Sequence, residues 1–263
     1  MIEDPATTWG AGEYALIAER LEPAAQAVVD LAGVTADDRV LDVATGTGNA
    51  ALRAASRGAK VVGLDFEPRL LDIAAARARS ANLEVEWLQA DIESAPLQTA
   101  AFSVVVSAFG VMYAPDHDAA AAALARCCAP GARLALAAWT PGSFMPAMGA
   151  ALAPYLPPPP PGGAPPSRWG DAAAVGELLE RHGISTRATT TESLSLSLPD
   201  RAEAVDFLIR TAGHVVSEQP RLRREGRWEQ LRADLAELVA ARDEGGDGVK
   251  LRCDYLVVVG ERP

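Results

Sequence analysis

Hydrophobic and polar positions along this chain switch between a helical period and short continuous apolar runs, and the switches mark out its elements. Leu16, Ile17, Leu21, Val28 and Val29 recur at helical spacing between Glu13 and Ala32, and Pro23 divides that stretch into two helices. The run Val40-Leu41-Asp42-Val43 reads as a buried strand with an acidic residue near its end. It gives way to the turn Ala44-Thr45-Gly46-Thr47-Gly48 and then to a helix from Asn49 to Arg57. A second strand, Lys60 to Leu64, ends in Asp65, and a third, Glu84 to Gln89, is followed by Asp91-Ile92. Helices over Glu67–Ser80 and Asp116–Cys128 and strands beginning at Phe102 and Arg133 continue the rhythm. Strands alternating with helices predict a parallel sheet, and three of these strands carry an acidic residue to one edge of it. That edge is where open α/β sheets take up ligands.

Beyond Trp139 the pattern changes. Pro141 to Arg168 contains the run Pro157–Pro161, Gly162-Gly163 and Pro165-Pro166, and is expected as an extended loop rather than a helix. A helix over Asp171–His182 closes at Gly183, and Thr186–Leu198 is a strand whose Ser193–Leu198 end alternates strictly. Helical stretches at Asp200–Gly213 and Glu218–Arg242 precede a final strand, Leu251 to Gly260.

Composition narrows the function classes. Of the 263 residues 49% are apolar, which excludes a disordered chain, and the formal charge of −11 disfavours a nucleic-acid partner because such affinity rests on neutralising phosphates. The basic cluster Arg221, Arg223, Arg224 and Arg227 is read as a solvated helix face. Cys127, Cys128 and Cys253 lack metal-site spacing, so neither a metal nor a disulfide framework is expected. Met1 to Thr8 has neither a basic start nor an apolar core, so a soluble, cytoplasmic protein without membrane insertion is expected. The alanine, arginine, proline and glycine bias, with lysine only at Lys60 and Lys250, points to a GC-rich bacterial genome.

From Asp42-Val43-Ala44-Thr45-Gly46-Thr47-Gly48 onward, the chain resembles the class I S-adenosylmethionine-dependent methyltransferases, in the small-molecule branch around ubiquinone and menaquinone biosynthesis. The family's first motif is acidic-x-Gly-x-Gly-x-Gly, and Ala44 stands in place of its first glycine. The resemblance implies that Asp42, Ala44, Thr45, Gly46 and Gly48 cradle the cofactor. Asp65 would hold the ribose hydroxyls, Phe66 lie beside the adenine, and Asp91 and Ile92 meet its amino group and ring. Ser107, also expected to bind the cofactor, opens the match to the fourth motif, Ser107 to Tyr113, and Ala129-Pro130-Gly131-Ala132 matches the turn into the fifth strand. Ser103 and Ala123 depart from an aspartate and a glutamate common in the family. The implied fold is an α/β, Rossmann-like three-layer sandwich with a seven-stranded, mostly parallel sheet, an antiparallel last strand and helical lid elements. Residues 1–34 would be an N-terminal lid, 35–140 the cofactor-binding core, and 141–263 the proline-rich loop, lid insertions and strands completing the same sheet. The implied activity moves a methyl group from S-adenosyl-L-methionine to O, N or C of a small-molecule acceptor, leaving S-adenosyl-L-homocysteine and using no metal. Secondary metabolism suits a chain of this branch.

Methyl transfer depends mainly on positioning, so the lack of a Ser/His/Asp signature does not count against catalysis. His117 and His214 are the candidate catalytic residues, and Tyr14 (with Trp9 nearby) and Tyr113 the candidate substrate-binding residues. His117 also reads as a first-turn helix residue facing water, and Tyr14 as a packing residue. Two alternatives stand beside this reading. Gly46-Thr47-Gly48-Asn49-Ala50-Ala51 with Asp65 fits an NAD(P)-dependent oxidoreductase, against which stand Asp42 before the turn and the Asp91-Ile92 pair. The other is a methyltransferase fold reused without methyl transfer, as a cofactor-binding subunit or a cyclase. A homodimer is left open.

Overall fold

The computed structural model describes residues 9–158 and 163–263. The Met1–Thr8 segment and part of the proline run, 159–161, together with Gly162, lie outside the described residues. Two short helices, α1 (Tyr14–Arg20) and α2 (Glu22–Leu31), precede the sheet. They part at Leu21, and Pro23 sits in the first turn of α2, where its missing N–H has no helical acceptor to lose. The alternating core follows as β1 (Arg39–Val43), α3 (Asn49–Ala55), β2 (Lys60–Asp65), α4 (Pro68–Ser80), β3 (Glu86–Gln89), β4 (Phe102–Ala108), α5 (His117–Cys127) and β5 (Cys128–Trp139). The remainder comprises α6 (Phe144–Leu152), α7 (Ala172–Arg181), β6 (Ser185–Leu198), α8 (Arg201–Thr211), α9 (Gly213–Arg224), α10 (Trp228–Arg242) and β7 (Val249–Glu261).

The seven strands lie in the order β3-β2-β1-β4-β5-β7-β6. β1 through β5 pair in parallel, and β7 runs antiparallel to both β5 and β6. Val40, Leu41 and Val43 of β1 and Val104, Val105 and Val106 of β4 are all buried, as strands covered on both faces must be. From β1 the chain steps outward to β2 and β3, then returns to place β4 on the other side of β1. The crevice between the C-terminal ends of β1 and β4 is therefore the topological switch point, where ligands of such sheets sit.

Helix starts follow the acidic caps in the sequence. Asp116, Asp171 and Asp200 each accept the backbone N–H three residues on, at 3.0, 2.9 and 2.8 Å.

Three elements differ from expectation. Pro141–Arg168 is not an extended loop throughout, because Phe144–Leu152 forms α6. Pro146 falls in its first turn and costs no intrahelical bond, while Phe144, Met148 and Leu152 line one buried face. Further on, Pro166–Gly170 forms a 3-10 turn that buries Trp169, and a Cβ on Gly170 would lie 1.9 Å from the Trp139 carbonyl oxygen. The stretch expected as one helix from Glu218 to Arg242 breaks at Gly226, whose φ of +68° ends α9. Nor is the basic cluster simply solvated: Arg221 pairs with Glu218 and Glu225 and donates to the Tyr155 carbonyl, and Arg227 donates to that of Pro154.

Candidate active site

At the end of β1 the backbone turns sharply. Ala44, Gly46 and Gly48 take φ of +53°, +55° and +86°, the left-handed region that glycine enters freely and alanine does not. Gly110, just past β4, makes room for Ala44: a Cβ there would lie 2.4 Å from the Ala44 methyl. Arg77 of α4 braces the turn, donating to the Thr47 carbonyl at 2.7 Å and to Asn49 Oδ1 at 2.6 Å.

Two carboxylates flank the turn. Asp65, at the end of β2, accepts from the Gly46 N–H at 2.7 Å and from the Glu67 N–H at 2.9 Å. Burial raises its pKa above the ordinary carboxylate value despite those bonds. Asp42 accepts through Oδ2 from the Thr45 hydroxyl at 2.6 Å and the Ala51 N–H at 2.8 Å. Its Oδ1 is buried with no hydrogen-bond partner among the described residues, and burial pushes the carboxyl up to about 7. A buried acceptor in that condition is suited to a cationic group brought in by a ligand.

These residues border a cavity of about 610 Å³. One half is made by strand ends: Gly46 after β1, Asp65 ending β2 with Phe66 after it, and Gln89 ending β3 with Ala90, Asp91 and Ile92 after it. The other half is made by Trp9, the Phe109–Pro115 segment, Trp139, Met145 and Met148 of α6, Leu208 and Thr211 of α8, Ala212, and His214 of α9. Phe109, at φ +60°, lies flat on Trp139 with ring centroids 3.7 Å apart and planes 12° from parallel. Trp9 approaches Tyr113 at 4.8 Å and His214 at 6.1 Å. Tyr14 lies over Gly46, where an added Cβ would meet its ring at 3.4 Å.

A strap carrying Trp9 crosses between the halves. Gly10 donates to Glu67 on the strand side, and Glu13 donates to the Arg210 carbonyl on the helical side, at 3.2 and 2.8 Å.

Of the residues singled out in the sequence, Tyr14, Ala44, Gly46, Asp65, Phe66, Asp91, Ile92, Tyr113 and His214 line this cavity. Asp42 and Thr45 border a small annex that shares Tyr14, Leu21 and Ala44 with it. Gly48 lies below the turn against Trp87 and Ala74. Ser107 is not on the wall: its buried hydroxyl donates to the Val43 carbonyl at 2.7 Å and accepts from the Val111 N–H at 3.1 Å, tying β4 to β1. His117 is neither on the wall nor facing water. It is buried edge-on to Trp169 at 5.7 Å, and burial and then Arg168 lower its pKa. Trp139, at the end of β5, and Met145, Met148, Leu208 and Thr211, on helices, carried no signal in the sequence, since a strand end or a helical face looks alike whether it meets a core or a cavity.

The comparisons with known proteins agree with this geometry. A family model described as a methyltransferase domain matches residues 40–131, which span the turn and β1 to β4. An uncharacterized protein of Mycobacterium tuberculosis is 35% identical over 257 residues, covering 97% of this chain and 92% of that one. A demethylmenaquinone methyltransferase of Thermus thermophilus is 44% identical over 115 residues, 43% of this chain and 52% of that one. Among solved structures, the geranyl diphosphate C-methyltransferase of Streptomyces coelicolor, in complex with Mg²⁺, geranyl-S-thiolodiphosphate and S-adenosyl-L-homocysteine, superposes with a TM-score of 0.56 at 15% identity, over 92% of this chain and 76% of that one. Taken with the seven-stranded sheet and the glycine turn at its switch point, these matches place the chain in the class I S-adenosylmethionine-dependent methyltransferases, with a resemblance to the enzymes of quinone biosynthesis.

Proposed function

We propose that the strand-edge half of the cavity binds S-adenosylmethionine and that the helical half holds a small-molecule acceptor for its methyl group. The observation that carries this is Asp65, a buried carboxylate on the cavity wall, anchored by two backbone N–H groups beside Phe66 and the Asp91-Ile92 pair. In this reading Asp65 receives the ribose hydroxyls, and Phe66, Asp91 and Ile92 meet the adenine. The turn and Asp42 face the amino-acid portion, whose ammonium suits the unpartnered Asp42 Oδ1. When bound, the cofactor supplies an electrophilic methyl carbon. The chain's own part is to orient the two ligands and exclude water, which is worth roughly 7–11 kcal/mol of barrier when reacting atoms are held in line. Phe109, Trp139, Met145 and Met148 provide the dry wall, and the Trp9 strap covers it. No helix among the described residues is long and apolar enough to cross a membrane, and no group of three or more His, Cys, Asp or Glu among them is placed to hold a metal. Action in the cytoplasm of a bacterium, in secondary metabolism, fits the composition and the bacterial relatives.

Calorimetric titration with S-adenosylhomocysteine, NADH and NADPH tests the reading. Micromolar binding of the adenosyl compound alone supports it, and binding of a nicotinamide instead sinks it. A cofactor that binds but keeps its methyl group through conversion of the true acceptor would move the protein to the cyclase or cofactor-binding class.

A further inference from the structure

Charge is distributed unevenly over the cavity wall. Among the described residues that line it, the charged ones are Asp65 and Asp91, both on the strand-edge half. The helical half presents no lysine, arginine, aspartate or glutamate, so a carboxylate or phosphate on the acceptor would lose its water there and find no counter-charge. What this half does present is ring surface: Phe109 flat on Trp139, Tyr255 edge-on behind Phe109 at 5.4 Å, and Trp9 against Tyr113. The Thr211 hydroxyl is occupied, donating to the Phe207 carbonyl at 2.8 Å. His214 remains as the group able to exchange a proton near neutral pH. It sits in the first turn of α9, between Trp9 and the α8 end, and its ring makes no hydrogen bond among the described residues. The other titratable groups on this wall are Tyr14, Tyr113, Asp65 and Asp91, and burial rather than any of these charges lowers the His214 pKa, so the ring is neutral and basic at pH 7.

We propose that the helical half takes an uncharged, ring-bearing acceptor that presents a weakly acidic hydroxyl, and that His214 removes the hydroxyl proton as a catalytic residue for O-methylation. This rests on the reading of the cavity as a methyl-transfer site. In the step, the acceptor O–H bond breaks and its proton goes to an imidazole nitrogen. The oxygen's electron pair forms the new bond to the methyl carbon, and the carbon–sulfur pair leaves with the sulfur, giving a methyl ether, a thioether and an imidazolium.

The test uses the full chain saturated with S-adenosylhomocysteine, with binding followed by tryptophan fluorescence. 2-Naphthol is the neutral probe and 6-hydroxy-2-naphthoate its carboxylated counterpart. 2-Naphthol should bind at least tenfold tighter, and equal or tighter binding of the carboxylate overturns the proposal. With S-adenosylmethionine, wild-type kcat for 2-naphthol should rise with pH to a plateau. His214→Gln should lower kcat about 10²- to 10⁴-fold at pH 7, leave KM within about threefold, and replace the plateau by a continued rise toward naphthol ionisation. A His214→Gln profile shaped like the wild type, or no methylation of bound 2-naphthol by the wild type, overturns the role of His214. S-Adenosylhomocysteine binding, which draws on the other half, should be unchanged in His214→Gln and reports that the variant is folded. Its absence in the wild type would instead be a failure of the cofactor reading.

Discussion

The two halves of the cavity are built by different means. On the strand-edge half, position is set by backbone. The Gly46 and Glu67 N–H groups hold Asp65, and the strand ends bring Asp65, Phe66, Asp91 and Ile92 to one line. On the helical half, position is set by side-chain packing from segments as far apart as Trp9, Phe109, Trp139, Met148 and His214. The first arrangement carries the carboxylates and is drawn from successive strand ends. The second is apolar and assembled across the whole chain. Backbone-set positions are fixed by the sheet itself, whereas side chains on the helical half can be exchanged without disturbing the sheet.

If the halves are this separate, their mutants should separate too. The largest effect is expected from Asp65→Ala. It removes a charged group that would accept from the ribose and frees two buried N–H groups, each bond to such a carboxylate being worth about 1.5–3 kcal/mol. S-Adenosylhomocysteine affinity measured by calorimetry should fall by about 10²-fold or more. A loss under about fivefold would mean that the strand-edge half is not where the cofactor sits.

Next comes the seam at which the halves meet. Gly110→Ala puts a methyl 2.4 Å from the Ala44 Cβ and 2.6 Å from the Ala44 carbonyl oxygen, so backbone must move on one side or the other. The cost should be about 1–3 kcal/mol in urea unfolding. The double variant with Ala44→Gly should recover part of it, because the two sites share one space. Strict additivity would show that the β1 and β4 turns are not packed against each other.

How far the sequence disclosed each half follows from the same contrast. β1, β2 and β4 were legible because strands buried on both faces must be runs rich in Val and Leu, and Asp116, Asp171 and Asp200 announce the helices they cap. Residues at a fixed offset from a strand end, such as Asp65 and Asp91, could be placed on the ligand edge by counting. Ser107 and His117 lie at such offsets too, yet their side chains turn to other work: one ties β4 to β1, the other packs on Trp169. Offset fixes where a backbone goes, not where its side chain points. α6 was hidden by its proline, a residue that reads as a breaker but is harmless in a first turn. Met145, Met148, Leu208 and Thr211 could not be told from core because both surroundings ask for the same apolar stripe.

Titration offers a milder way to sharpen the contrast. Burial raises the Asp42 carboxyl from 3.8 to about 7, so the proton it holds favours the folded state. A raised folded pKa gives stability that is complete below the unfolded value and is lost as pH rises through the folded one. The ligand-free protein should therefore lose this contribution between about pH 4 and 7, and Asp42→Asn should flatten that part of the thermal-midpoint profile. A cationic ligand beside Asp42 reverses the preference, so S-adenosylmethionine affinity should rise over the same interval in the wild type and not in Asp42→Asn. His214, on the other half, should leave that affinity profile unmoved. A pH dependence of cofactor binding that follows His214 rather than Asp42 would join the two halves into one electrostatic unit.

The smallest effect is expected where this chain departs from the family's glycine motif. Ala44 holds φ +53°, a conformation that costs an alanine roughly 1–2 kcal/mol relative to glycine. Ala44→Gly relieves that strain, but it also frees the unfolded chain, which returns about 0.4–1 kcal/mol, and removes a methyl that fills the space over Gly110. The terms oppose one another and nearly cancel, so urea unfolding should shift by less than about 1 kcal/mol, with cofactor affinity unchanged. Gly46→Ala, two residues on, takes on the same kind of strain at φ +55°, and its new methyl would stand on the cavity wall, 3.4 Å from the Tyr14 ring, where the cofactor is proposed to lie. That variant should lose both stability and S-adenosylhomocysteine binding. If Ala44→Gly instead proved as damaging as Gly46→Ala, the alanine would be holding the β4 turn, and with it the Phe109 ring, in place for the acceptor half, so that the boundary between the halves would run through the methyl of Ala44.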